Sequence, residues 1–157
     1  MLESCQNAQE RWGGVHKLID RWLEDRQELV QAFRALRDAR PAFADKDKSR
    51  DFCAILVDYV SAWHFEVSEQ LVSEAKAFGD TRGLELATRI NPRIDDSTQI
   101  ALAFNDKCEK GECTDPERFA EKLGKLGGLL RERFELEDCL IEVLHTAHKV
   151  DEAAVQA

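Results

Sequence analysis

Four long stretches of this chain repeat apolar side chains every three or four positions, and only 3 prolines interrupt its 157 residues. That pattern leaves amphipathic helix as the dominant element. In the first stretch, from about Glu10 to Arg37, one stripe collects Val15, Leu18, Ile19, Trp22, Leu29 or Val30, Phe33 and Leu36. Gly13–Gly14 is a place for that helix to kink or start late. Arg40–Pro41 stops it, because the residue before proline is pushed out of the helical region. The second stretch runs from about Asp47 to Phe78, with Gly79 placed as a C-terminal cap. A third begins near Thr81 and continues to about Lys107, with a break or kink expected at Asn91–Pro92. After the loop CEKGEC, Thr114-Asp-Pro-Glu117 reads as a capping box. It opens a last segment, to about His148, whose stripe is Phe119, Leu123, Leu126, Leu130, Phe134, Leu140 or Ile141, and Leu144. Gly124, Gly127 and Gly128 mark either close helix packing or a local break. The expected fold is all-α, an antiparallel four-helix-type bundle with long, partly interrupted helices. Residues 1–150 are expected to form one domain and 151–157 a frayed tail.

Charge narrows the function. The chain carries 31 acidic and 22 basic residues, a net charge of −9. Wrapping a phosphate backbone needs clustered Lys and Arg, so direct DNA or RNA binding is disfavoured. An acidic surface suits a basic partner, or simply keeps a protein in solution. No apolar run reaches the ~18 residues that cross a bilayer. MLESCQNAQERWGG lacks the basic and apolar regions of a secretory signal. Five cysteines, an odd number without framework spacing, fit reduced thiols. The expected compartment is the cytoplasm.

Helical bundles can hold metals, and the His and Glu positions bear on that chemistry. A ferritin-like di-iron centre needs two Glu-x-x-His pairs. Glu142-Val-Leu-His145 supplies one, and neither His16 nor His64 has a Glu three residues before it. A hemerythrin-like bundle needs more histidines than the 4 present. His64 and Glu69, five apart, would sit about 140° around an α-helix from each other. Cys108 and Cys113, with Cys139 or His145 and His148, could be read as a zinc set, but two thiolates alone do not close a structural site. No Gly-x-Ser-x-Gly elbow or phosphate-cradling glycine loop is present. The reading is a non-enzyme with no cofactor and no metal, and a metal-binding bundle is its rival.

The stretch LVDYVSAWHFEVSEQL, residues 56–71, carries the most information. Placed on an α-helix, Phe52, Leu56, Tyr59, Val60, Trp63 and Val67 form a core face. Opposite them lie Ala54, Asp58, Ser61, Phe65, Ser68 and Val72. Either Phe65 and Val72 pack under a loop or turn inward at a helix break near Ala62, or the stripe is a recognition patch. In the second case small side chains admit a partner, Phe65 gives apolar area and Asp58 pairs with a partner cation.

That stretch resembles the signature of the Rsd/AlgQ family of bacterial regulators. The likeness extends in order through QERWGGVHKLIDRWLEDRQELV, FCAILVDYVSAWHFE, GLELATRINPRIDDSTQIALAFND and RERFELEDCLIEVLHTAH, covering about residues 1 to 148. The resemblance implies a helical-bundle anti-sigma factor. Such a protein binds the C-terminal, DNA-reading region of the principal (housekeeping) sigma factor, reducing its use by RNA polymerase and favouring alternative sigma factors. It places the family's partner-contact aspartate at Asp58. A phosphocarrier protein is a further partner of some members, and alginate or siderophore genes are downstream targets of those from pseudomonads. The family pattern has a glycine before the His-Phe pair and a tyrosine before the following Glu, where this chain has Trp63 and Ser68.

Overall fold

The computed structural model describes residues 2–39, 46–109 and 115–146, with side chains from His16 onward. Among them every regular element is helical: α1 (Leu2–Asp38), α2 (Lys46–Ala62), α3 (Ser68–Ala77), α4 (Thr81–Glu109) and α5 (Pro116–Ile141). A π turn, Trp63–Val67, joins α2 to α3 without a break, and a second, Glu142–Thr146, extends α5. The result is four rods, of which α2 and α3 make one. No described helix is long and apolar enough to cross a membrane.

Side-chain pairs fix the packing order. Phe33 and Trp22 on α1 meet Phe52 and Trp63, ring centroids 5.9 and 5.0 Å apart. Phe52 also meets Phe104 of α4 at 6.1 Å, and Phe104 meets Phe119 of α5 at 6.0 Å. Arg26 of α1 reaches Asp138 of α5 at 2.7 Å, closing the ring. In each pair ascending numbers meet descending ones, so adjacent rods are antiparallel. Gly127 lets α1 and α5 approach closely, since a Cβ there would meet Phe33 Cζ at 2.6 Å. Gly124 and Gly128 face open space and serve no such contact.

The turn between α3 and α4 is built as the sequence indicates. Gly79 has φ +67, the left-handed conformation that glycine adopts without strain. The Gly79 and Asp80 N–H groups donate to the Lys76 and Ala75 carbonyls, which satisfies the end of α3. Asp80 then accepts from Gly83 N–H at 2.9 Å and starts α4.

Four expectations are corrected. Helix α1 starts at Leu2 and runs through Gly13–Gly14. Helix α4 is continuous, with Pro92 inside it. Pro92 lies on the exposed side, and the carbonyl it leaves without an N–H belongs to exposed Thr88, where water can serve it. Buried Ala87, Ile90, Ile94 and Ala101 hold both halves of α4 to the core. The N-cap of α5 is Asp115, one residue later than the capping box proposed, accepting from the Glu117 and Arg118 N–H groups with Pro116 following. The α5 stripe passes through Arg133 and Glu137, both buried, and Phe134 is only partly covered. The CEKGEC loop beyond Glu109, Thr114, Pro41 and the segment from Ala147 to the tail lie outside the described residues.

Candidate functional site

All six residues of the expected core face on α2 and the π turn are buried, none more than 2 % exposed. Trp63, standing where the family pattern has glycine, fills space against Trp22. The opposite residues reach the surface, but not as one stripe: the π turn carries Ser68 and Val72 about 100° round from the line of Ala54 and Asp58, into the lining of a groove with Trp63. Ala54, Asp58 and Phe65 are exposed, and Ser61, Ser68 and Val72 are half-buried. Phe65 is 70 % exposed and Ile100 52 %, the two exposed large apolar residues among the described residues. Its ring stands nearly perpendicular to that of His64, with centroids 4.8 Å apart. The inward-turned reading of Phe65 is excluded. Asp58 makes no ion pair or hydrogen bond among the described residues, so its carboxylate is available to a partner.

The π turn explains how one segment keeps such a long core face. Counted as plain α-helix, Leu71 would lie about 100° off the Phe52 face. A π turn inserts one extra residue, and that offset disappears. Phe52 and Leu71 are both fully buried. The same insertion corrects the expectation for His64 and Glu69. Their separation falls from about 140° to about 40°. Both line one open groove of 490 Å³ between the π turn, α3 and α4, along with Trp63, Ser68, Val72, Ser73, Lys76, Asn91 and Asp95. Sequence reasoning missed this groove because it assumed 3.6 residues per turn throughout.

Behind the stripe lies a buried polar network. Tyr59 donates to Glu137 Oε1 at 2.6 Å and accepts from Arg26 Nε at 3.0 Å. Arg133 donates to Glu137 Oε2 at 3.1 Å, and to Ser97 Oγ, Thr98 Oγ1 and the Ile94 carbonyl. Arg26 also lies over the rings of Trp22 and Phe134, at 4.7 and 4.8 Å. Burial pushes the Glu137 carboxyl up to about 7, against Arg133, Tyr59 and Arg26, which pull it down. Burial, then the neighbouring Glu137, drives the Tyr59 phenol far above its ordinary range, so it remains a donor. The network ties α1, α2, α4 and α5 together, and it takes its α2 member, Tyr59, from the position next to Asp58. The signal for it was a gap: the α1 stripe skips from Trp22 to Leu29, and the α5 stripe skips from Phe134 to Leu140 or Ile141. Arg26 and Glu137 fill those places, and Arg133 lies one turn before Glu137.

The Glu142–His145 pair does not act as a unit. His145 is buried and its Nδ1 lies 2.9 Å from Glu74 Oε2 on α3, while Glu142 is exposed. The second π turn rotates the two apart. Among the described residues no three of His, Cys, Asp and Glu are placed to share a metal ion.

Comparison with known proteins decides the family. A family model described as "Regulator of RNA polymerase sigma(70) subunit, Rsd/AlgQ" matches residues 1–145. The chain belongs to the Rsd/AlgQ family. Among its relatives is a "Regulator of sigma D" from Yersinia enterocolitica, 28% identical over 164 residues, covering 100% of this chain and 98% of the relative. Another protein of that name, from Salmonella typhi, is 33% identical over 94% of this chain and 93% of its own length. A third, from Yersinia pseudotuberculosis, is 30% identical over 90% of this chain and 88% of its own. No solved structure matches the chain.

Proposed function

We propose that this protein is a cytoplasmic, non-enzymatic anti-sigma regulator. It binds the C-terminal, DNA-reading region of the principal sigma factor through the surface formed by Ala54, Asp58, Ser61, Phe65 and Ser68. The observation that carries the site assignment is Phe65, a large apolar side chain 70 % exposed beside an unpaired carboxylate. Exposed apolar area next to a charge is the composition of an interface centre and its rim. The supporting family match spans residues 1–145, and the acidic surface complements a basic DNA-reading surface. Occupying that surface denies it to promoter DNA, which moves polymerase toward other sigma factors. The whole chain acts as one unit in this reading.

Titration calorimetry with the C-terminal region of the principal sigma factor, and stopped-flow association across a salt series, test it. Calorimetry is expected to give one sigma region per regulator, and the stopped-flow association rate to fall as salt rises, because steering charges are screened. Absence of binding overturns the reading. The same titration with a phosphocarrier protein examines the second partner that the family resemblance implies.

A further inference from the structure

Ile100, the other exposed large apolar residue, stands among cations rather than carboxylates. Along continuous α4, Arg82, Arg89, Arg93, Ile100 and Lys107 fall within about 40° of one line. That line is on the side of Ser97, which receives Arg133 from α5, and turned away from Asp95, which faces His64 of the π turn. On α5, Arg118, Lys122, Lys125, Leu129 and Leu136 fall within about 60° of one another. They are on the side of Arg133 and turned away from Gly127, which packs on α1. The two lines therefore border one seam. The Arg133–Ile94 and Phe104–Phe119 contacts bracket Ile100 and set it level with the stretch around Lys125.

Seven basic side chains flank this seam against three acidic ones, Asp96, Glu121 and Glu132. The chain as a whole runs the other way, with 22 basic and 31 acidic residues. Glu121 is already engaged, 3.4 Å from Lys125. Arg82, Arg89 and Arg93 are exposed and make no ion pair or hydrogen bond among the described residues. A face that serves only to keep a protein in solution intersperses both signs. Here three arginines line up beside a half-exposed isoleucine, with Leu129 and Leu136 half-buried across the seam. Arginine around aliphatic area is the composition of a recognition surface.

We propose that the α4–α5 seam docks an acidic amphipathic helix of a partner protein. The valley between two antiparallel helices takes a third along its length, with apolar anchors at three- and four-residue steps. Those anchors rest on Ile100, Leu129 and Leu136, and carboxylates on the flanks of the incoming helix meet the arginines. From Arg82 to Ile100 the line runs about 27 Å, five turns of helix. Nucleic acid fits less well. Three carboxylates interrupt the cations, and a phosphate backbone offers Ile100 nothing to bury against. The seam uses neither Asp58 nor Phe65, so it stands or falls apart from the sigma surface.

The probe is a labelled, end-blocked peptide of about 18 residues, with leucine at three- and four-residue steps and glutamate and alanine elsewhere. A scrambled peptide of the same composition is the control. Fluorescence anisotropy with the full chain is expected to show saturable binding of the first and none of the second. Arg89→Gln with Arg93→Gln weakens that binding about fivefold, the modest value of exposed charge pairs, and Ile100→Ala weakens it by a similar factor. Phe65→Ala binds the peptide as the parent does. Thermal melting of every variant stays near the parent, because all these side chains are exposed. No saturable binding, equal binding of the two peptides, or a loss with Phe65→Ala as large as with Ile100→Ala overturns the seam. So does a single-stranded oligonucleotide that binds more tightly than the peptide and is lost in the arginine variant, which makes the cations a nucleic-acid surface. No arm uses sigma, so failure of the sigma reading leaves this result intact.

Discussion

At the scale of single residues, the two sides of one helical segment carry separate jobs, so mutations on them separate binding from folding. Asp58→Arg sets like charge against a basic partner and is expected to weaken sigma binding by on the order of 2 kcal/mol or more. Its melting temperature stays near that of the parent, because surface substitutions change stability by no more than about 0.5 kcal/mol. Phe65→Ala behaves the same way, since a ring 70 % exposed has little burial to lose. Trp63→Ala is the converse. That indole is buried against Trp22, and its removal costs roughly 3–5 kcal/mol of stability. Thermal melting and sigma titration on the three variants check all of this. Should Phe65→Ala unfold the protein, the site is misassigned. The core face and the exposure of Ala54, Asp58 and Phe65 were legible in the sequence, because heptad-like spacing states which side of a helix is dry. The position of Ser68 and Val72 was not, because the π turn rotates them. The partners of buried polar atoms were not, since Tyr59 and Glu137 are 78 residues apart and only the assembled bundle brings them to 2.6 Å.

At the scale of elements, the joint between α2 and α3 shows where local periodicity stops being a guide. The apolar positions Phe52, Leu56, Val60, Trp63, Val67 and Leu71 spread over about 100°, with Leu71 at the far edge, if every turn is assigned 3.6 residues. The chain resolves that spread with a π turn at Trp63–Val67. Nothing within those five residues demands it. It is the buried residues on both flanks, packing on the same neighbours, that make the extra residue the lower-energy choice. Pro92 teaches the same lesson in reverse, because a local helix breaker is overridden by core contacts on either side of it. Since a π turn amounts to one inserted residue, deleting Phe65 should return the segment to plain α-helix with both flanks still on the core. The expected variant keeps its helical circular dichroism and most of its thermal stability, yet loses sigma binding. A collapse of stability would mean that the bulged backbone itself is needed to pack α3 against α4.

At the scale of the whole molecule, the four rods are joined at their centre by a charged group rather than an apolar one. Glu137 is fully buried, contacts Arg26, Tyr59 and Arg133, and its carboxyl is pushed up to about 7 mainly by burial. That sets a pH dependence with a definite sign. The unfolded chain releases this proton near 4.5 and the folded chain near 7, so between those values the folded state holds more protons. The stability contributed by protonated Glu137 is therefore complete below about pH 4.5 and is lost as pH rises through 7. By the cost of about 1.4 kcal/mol per pH unit, the loss is on the order of 3 kcal/mol. Glu137→Gln keeps the shape and cannot ionise. From the sign of that shift it should melt close to the parent at pH 5 and above the parent at pH 8. Carboxylates elsewhere titrate alike in both proteins, so the difference between their stability curves isolates this one group. Chemical denaturation of both from pH 4.5 to 8 reads it directly. A variant less stable than the parent at pH 8 would show that attraction to Arg133 and Arg26 outweighs burial, and that the ionised network is what clamps α1, α4 and α5 behind the Asp58 surface.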